Sequence, residues 1–98
     1  MTVWLGVLAF LEGKEGKGGE LGAFLESGRT IAAAEDGTVT WYAFKTGGTS
    51  YGIFDTFETE DARQEHLHGE IPRGLALDSR DLLAADPDIR MVDFIAVK

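Results

Sequence analysis

His66 is the residue that the sequence places best for chemistry. It lies in segment 51–68, where an apolar, aromatic strand pattern ends at Phe57 and a helix pattern begins near Thr59. Thr59 is a suitable N-cap, and the acidic residues of the first turn suit the helix dipole. Helical spacing puts His66 on one face with Ala62, a small residue that can lie against a sheet. An imidazole there could accept a proton from a phenolic substrate or hold the substrate by a hydrogen bond.

A structural histidine would give the same pattern. A core imidazole satisfied by a backbone carbonyl also sits on a helix face of small residues, and this is the commoner case. The chain contains no cysteine. None of its serines lies in a nucleophile-elbow context, and no pair of residues is marked as a matched acid and base. The residues alone therefore leave a catalytic and a structural His66 both open.

A dedicated metal site is not expected. His66 and His68 are the only histidines. Residues two apart on a helix point to nearly opposite sides, so these two cannot share an ion. Glu65 with His68, and His66 with Glu70, have helical spacing, but each pair supplies only two ligands.

Composition restricts the class of partner. The 98 residues make one domain, 1–98, with a net charge of -8 and nine Lys and Arg that form no basic patch. Such a surface argues against nucleic acid and against anionic lipid. The apolar run 3–11 is too short to span a bilayer and lacks a signal-peptide flank, so it is expected to be a strand. The absence of cysteine fits a reducing compartment, and we predict a cytoplasmic protein without a membrane or nucleic-acid partner.

The elements alternate between strand and helix in a recognisable order. Hydrophobic periodicity and turn residues predict strands at 3–11, 38–45, 50–57 and 89–97, a helix at 20–35, and a helical region from Thr59 that breaks before Pro72. This order defines the α+β, ferredoxin-like βαββαβ arrangement. Right-handed crossovers then place the helices on one face of a four-stranded antiparallel sheet.

Aromatic residues occupy both faces of the predicted strands. Two helices can cover only one face, and an exposed apolar sheet face of this size is sticky in water. We therefore predict a homodimer in which two sheets face each other and enclose a cavity for a small aromatic molecule. The residues expected to wall this pocket are Trp4, Trp41, Tyr42 and Phe54. Plain core or dimer packing is the alternative role of these four side chains.

Segments 13–27, 35–44, 51–71 and 81–98 resemble the antibiotic biosynthesis monooxygenase family, whose members are small dimeric α+β barrel proteins. The resemblance implies a homodimer with a hydrophobic pocket between sheet and helices. It also implies oxidation of quinol- or anthrone-like aromatics by molecular oxygen, with no metal, flavin or haem cofactor. Family members often carry a histidine in the second helix, and His66 matches that position. Haem-degrading relatives need an Asn, which this chain lacks entirely.

Two functions follow as hypotheses. The first is a cofactor-independent monooxygenase of quinol- or anthrone-like aromatics, with His66 as base or substrate anchor. The second is a non-catalytic homodimer that binds a small apolar molecule. An open cavity beside His66 would favour the enzyme, whereas a site filled by side chains would favour the binding protein.

Overall fold

A single layer of helices covers one face of a four-stranded antiparallel sheet. The computed structural model describes residues 3–77 and 80–98. The strands lie in the order β2-β3-β1-β4, which is the predicted ferredoxin-like α+β topology. The elements are β1 (Leu5–Glu12), α1 (Gly18–Ala33), β2 (Thr38–Gly47), β3 (Ser50–Phe57), α2 (Glu60–Leu67), α3 (Glu70–Leu77), a short 3-10 helix (Arg80–Leu82) and β4 (Asp88–Asp93).

The core lies between the sheet and its helices. Alternate residues of β1 and β3 point to the helical side, where they are excluded from water by helices α1 and α3. Burial of these apolar side chains is the main force that holds the helices on the sheet. The buried residues of this core are Ala9, Leu11, Leu21, Leu25, Ala32, Ile53, Ile71, Leu75 and Leu83.

The second helical region is broken as predicted. Thr59 has extended backbone angles, and its Oγ1 accepts a hydrogen bond from Ala62 N at 3.1 Å, so it caps α2. Helix α2 ends at Leu67, and α3 carries Pro72 in its first turn. None of the helices in the two described ranges has the length and apolar character needed to cross a membrane.

The last strand is shorter than predicted. It ends at Asp93, whereas the apolar pattern predicts a strand to residue 97. The reason is register, because Asp93 pairs with Leu5 at the very start of β1. The amide of Phe94 still donates to Trp4 O at 2.8 Å, but the residues after it run past the beginning of β1.

A buried arginine fastens α2 to the sheet. Arg63 is one turn before His66, and its Nη1 donates to Gly6 O at 3.3 Å and to Val92 O at 3.2 Å. These carbonyls belong to β1 and β4. Its Nε also donates to Glu60 Oε2 at 2.9 Å, which satisfies the charge. Arg63 thereby fixes the height and rotation of the helix face that carries His66.

The other face of the sheet remains open in the single chain. Tyr42 is 57% exposed and Trp4 is 47% exposed. The residues after β4 lie at this face, where the Phe94 ring packs against Phe54 with centroids 6.0 Å apart. They border a cavity of about 460 Å³ that Tyr42 and Phe54 also line. An open apolar face is the feature from which the homodimer is predicted, and the homodimer stays a prediction.

Candidate functional site

His66 is held between two carboxylates. Its Nδ1 lies 2.6 Å from Glu35 Oε1, and its Nε2 lies 3.0 Å from Asp55 Oδ2. Glu35 follows the end of α1, Asp55 lies in β3, and His66 lies on the inner face of α2. His66 is 6% exposed and Asp55 is 1% exposed. We call these three residues the His66 cluster.

The electrostatics of the His66 cluster favour the charged imidazole. Burial alone lowers the pKa of His66, but the hydrogen bonds to the carboxylates of Asp55 and Glu35 outweigh it and raise the pKa above the ordinary 6.5. The Phe57 ring lies 5.4 Å from the imidazole and shields it from water. Each ring nitrogen faces one carboxylate, Glu35 at Nδ1 and Asp55 at Nε2. Both carboxylates therefore stabilise the charged imidazolium form of His66.

The His66 cluster can take up and release one proton as a unit. A neutral imidazole has a hydrogen on only one ring nitrogen, so one of the two carboxylate contacts then has no hydrogen to share. A proton delivered to the cluster fills that contact. The two carboxylates bond different ring nitrogens and do not converge with the ring on one point. Within the described ranges, no group of three or more His, Asp or Glu residues is arranged to hold a metal ion.

A polar cavity lies beside the His66 cluster. Its volume is about 310 Å³, and its lining comes from the α1–β2 connection and the outer part of α2. Glu35, Thr38 and Glu65 line it together with His66. This cavity gives solvent and small solutes access to the Glu35 side of the cluster, but its polar walls do not suit a fused aromatic ring.

A second, apolar cavity lies between α1, α3 and the side chain of Trp41. Its volume is about 380 Å³. The lining residues are Phe24, Leu25, Ser27, Gly28, Ile31, Trp41, Glu70, Ile71, Arg73 and Gly74. We call it the Trp41 cavity. It shares no residue with the cavity beside His66, but the two lie on the same helical side of the sheet.

The four aromatic residues of the predicted pocket do not share one wall. Trp41 points to the helical side, whereas Tyr42, the next residue of β2, points to the open face with Phe54. Trp4 precedes β1 and is largely exposed. Trp41 and Tyr42 nevertheless both border a cavity of about 460 Å³ along β2, and Phe54 lies on the open face with Tyr42. A pocket common to all four side chains stays a prediction.

Trp41 lies between the Trp41 cavity, which it lines, and Asp55 of the His66 cluster. Trp41 and Asp55 are directly paired in the β2–β3 register, so their side chains lie next to each other on the helical face. Trp41 Nε1 and Asp55 Oδ1 are both buried and have no hydrogen-bond partner among the described residues. Asp55 was not predicted from the sequence. The sequence does offer a clue to it. Asp55 is a charged residue at a position of β3 that faces the same side as the apolar residues Ile53 and Phe57.

Solved structures of similar fold first define the class of protein. The fold is that of the antibiotic biosynthesis monooxygenase-like proteins, as predicted. A protein from Caulobacter crescentus provisionally named an antibiotic biosynthesis monooxygenase has a TM-score of 0.74 and 22% identity, over 96% of this chain and 92% of its own. A protein of the same provisional name from Nitrosomonas europaea has a TM-score of 0.82 and 10% identity, over 94% of this chain and 99% of its own.

One solved structure is similar enough in sequence to place the chain in a family. The chain belongs to the same family as a protein of unknown function from Nitrosomonas europaea, with 38% identity and a TM-score of 0.94. That match covers 98% of this chain and 93% of the other. No protein-family model and no curated protein matches the chain.

Proposed function

We propose that the protein oxidises a hydroxylated, fused-ring aromatic compound of the quinol or anthrone type with molecular oxygen. The observation that carries the proposal is an apolar cavity whose wall residue Trp41 is the cross-strand neighbour of Asp55, a member of the buried acid–base cluster. The reaction class is taken from the two proteins of the same fold that are provisionally named antibiotic biosynthesis monooxygenases.

The Trp41 cavity suits such a substrate in size and chemistry. A volume of about 380 Å³ can take two or three fused rings. Phe24, Ile31 and Ile71 supply apolar walls, and the indole of Trp41 offers a flat face for stacking. Ser27 and Arg73 supply polar groups that could orient substituents on the ring.

The substrate supplies the electrons of the proposed reaction. Loss of a hydroxyl or ring proton gives an electron-rich anion, which passes one electron to oxygen and then joins it through a new carbon–oxygen bond. The oxygen–oxygen bond breaks as the carbon that bears it loses its remaining hydrogen, and one oxygen atom stays on the ring as a carbonyl. The other oxygen takes up that hydrogen and the proton first removed from the substrate, and it leaves as water. A quinol with one open ring position thus becomes a hydroxyquinone, and an anthrone becomes an anthraquinone.

His66 makes the proton transfer favourable. The proton leaves the substrate for the His66 cluster, where it completes the hydrogen bond that a neutral imidazole leaves unmade. The proton transfer needs the neutral form of His66. The rate of oxygen consumption should therefore rise with pH through the pKa of His66, which is raised above its ordinary value. The apolar walls of the Trp41 cavity limit the contact of the anion with water.

Oxygen consumption with dihydroxynaphthalenes and anthrones tests the proposal. We expect turnover by the wild-type protein and a loss of about 100-fold or more in His66→Ala, since acid–base groups contribute at least this much. His68→Ala is the matched control, because His68 is exposed and its Nδ1 lies against Gln64 O. Equal rates for wild type and His66→Ala would remove His66 from the mechanism.

The non-catalytic alternative makes a different prediction. In that case both carboxylates serve only to bury His66, and the Trp41 cavity binds an apolar compound without changing it. Tight binding of these aromatics with no oxygen consumption at any pH would support the binding protein and contradict the enzyme.

A further inference from the structure

We infer that the His66 cluster exchanges its proton with solvent through Glu35, while Asp55 keeps the opposite ring nitrogen of His66 protonated. The base atom of the cluster is then Nδ1, and the neutral ring carries its hydrogen on Nε2. The inference rests on the proposed function only for the substrate as a source of the proton. It adds the atom that takes up the proton, the carboxylate that passes it on and the residue that positions the ring.

The carboxylate of Asp55 depends on the N–H at Nε2 of His66. Asp55 is 1% exposed, and its Oδ2 lies 3.0 Å from that nitrogen. Its Oδ1 is buried and has no hydrogen-bond partner within residues 3–77 and 80–98. Without the hydrogen on Nε2, Asp55 would face the lone pair of the ring as an unpaired buried charge, which is costly. The hydrogen on Nε2 therefore stays in place when the ring becomes neutral.

The carboxylate of Glu35 does not depend on His66 in this way. Its side chain is 22% exposed, and its Oε1 accepts a hydrogen bond from Thr38 Oγ1 at 2.8 Å as well as facing Nδ1. It also lines the polar cavity of about 310 Å³, where water can solvate it. When Nδ1 loses its hydrogen, Glu35 keeps one donor and its contact with solvent. Of the two ring nitrogens, Nδ1 thus releases its proton at the lower cost.

The exchange is a transfer between two atoms 2.6 Å apart. The hydrogen on Nδ1 of the imidazolium passes to Oε1 of Glu35, and the carboxyl group then gives it to water or to a small base in the polar cavity. The products are the neutral Nε2–H imidazole, the Glu35 carboxylate and the protonated acceptor. Uptake of a proton follows the same steps in reverse.

Glu35 also lies beside residues that line the Trp41 cavity. Ile31, four residues earlier on α1, lines that cavity, and so does Glu70 at the start of α3. An added Cβ at Gly69, the residue before Glu70, would lie 3.4 Å from Glu35 Oε2. Because Asp55 is enclosed, Glu35 is the carboxylate of the cluster that a proton from this cavity can reach through solvent.

The position of the hydrogen can be measured by 15N NMR without a substrate. Above the pKa of His66, the ring of the wild-type protein should carry hydrogen on Nε2 and none on Nδ1, which the shifts of the two nitrogens distinguish. Asp55→Asn should invert this tautomer, because the amide can donate an N–H to Nε2 and leave Nδ1–H to bond Glu35. Glu35→Gln should keep the wild-type tautomer, since Asp55 is unchanged.

The exchange rate of the Nδ1 hydrogen with water tests the role of Glu35. All proteins are compared at the same degree of His66 protonation, so that a change in its pKa does not enter. Glu35→Gln keeps an acceptor but cannot take up a proton, and exchange should slow by about 100-fold, the lower end of what a positioned acid–base group contributes. Free imidazole, a small base that fits the polar cavity, should restore part of the rate.

Glu65→Gln is the matched control for Glu35→Gln. Glu65 lines the same polar cavity, but its side chain forms no hydrogen bond or ion pair with any residue that the structure describes. The substitution removes the same charge, and it should leave both the tautomer and the exchange rate unchanged.

The outcomes separate this inference from the proposed function. An Nδ1–H tautomer in the wild-type protein would overturn the inference, and so would equal exchange rates in Glu35→Gln and Glu65→Gln. These two measurements decide the result if Asp55→Asn does not fold. The expected tautomer and exchange in a protein that consumes no oxygen would support the inference and contradict the monooxygenase. Oxygen consumption together with wild-type exchange in Glu35→Gln would do the reverse.

Discussion

Nε2 of His66 lies 3.0 Å from Oδ2 of Asp55, and this contact joins helix α2 to an interior strand of the sheet. Both residues are almost fully excluded from solvent. A carboxylate in such a place needs a charged or hydrogen-bonding partner, and His66 is the partner that α2 supplies. The contact therefore contributes to the stability of the fold as well as to any chemistry at the site, and the two roles can be measured separately.

Replacement of His66 by alanine should destabilise the protein strongly. The change leaves Asp55 buried without its partner, and removal of one member of a buried pair costs about 3–5 kcal/mol. We expect a decrease of this size in the free energy of unfolding of His66→Ala, measured by urea denaturation. The exposed His68→Ala should change it by less than about 0.5 kcal/mol. Similar values for the two variants would show that His66 is not a structural partner of Asp55.

The stability contributed by His66 should decrease as the pH rises. Its pKa is raised above 6.5 in the folded protein, because the hydrogen bonds to Asp55 and Glu35 outweigh the opposing effect of burial. The contribution is therefore fully present below pH 6.5 and is lost as the pH rises through the folded-state pKa. A tenfold tighter hold on the proton in the folded state than in the unfolded state is worth about 1.4 kcal/mol of stability.

Two measurements check this pH dependence. An NMR titration should give His66 a pKa above 6.5, and the denaturation midpoint should fall as the pH rises from 6.5 to that folded-state value. The His66→Gln variant lacks the titrating group and should show a flatter profile over this window. A wild-type midpoint that rises across the same window would reverse the sign and contradict the assignment.

Most of the fold follows from local patterns in the sequence. The apolar runs of β1 and β3, the cap at Thr59 and the break before Pro72 are all local signals, and the order of elements leaves one topology. The limits of β4 depend on the strand it pairs with, since its pairing ends where β1 begins at Leu5. A pattern of apolar residues in the last segment cannot reveal that limit.

The sequence predicts less of the site than of the fold, because the site is assembled from distant segments. His66 could be singled out because a titratable residue on a small-residue helix face is visible in the sequence. Its partners come from distant segments, Glu35 after α1 and Asp55 in β3, and no spacing rule links them. The two-residue period of a strand places Trp41 and Tyr42 on opposite faces of the sheet. Which of these faces the helices cover is set by the tertiary structure.

Gly6 should not tolerate a side chain. It lies in β1, where an added Cβ would be 2.9 Å from Asp55 O and 2.9 Å from the Phe94 ring. A backbone carbonyl in the sheet cannot move aside easily, so Gly6→Ala should lower the free energy of unfolding by about 1–3 kcal/mol.

Gly19 provides the matched control for Gly6. An added Cβ at Gly19 meets no atom within 4 Å, and the residue lies in α1. Gly19→Ala should therefore be neutral or stabilise the protein by up to about 1 kcal/mol, as expected for alanine in a helix. Thermal and urea unfolding of both variants measure the difference. Equal effects of the two substitutions would mean that the strand at Gly6 adapts, contrary to the packing described.

The open face of the sheet should be covered by a second copy of the chain. Tyr42, Phe10 and Trp4 are exposed on or beside this face, and an apolar patch of this kind is rarely left in contact with water. We expect the wild-type protein to sediment as a dimer at micromolar concentration.

Tyr42→Asp should give monomers, because an unpaired charge would be buried in the interface. Ala23→Asp adds the same charge on the exposed side of α1 and should leave the dimer intact. Stable wild-type monomers would contradict the dimer but not the site, because the Trp41 cavity and the His66 cluster lie on the other side of the sheet.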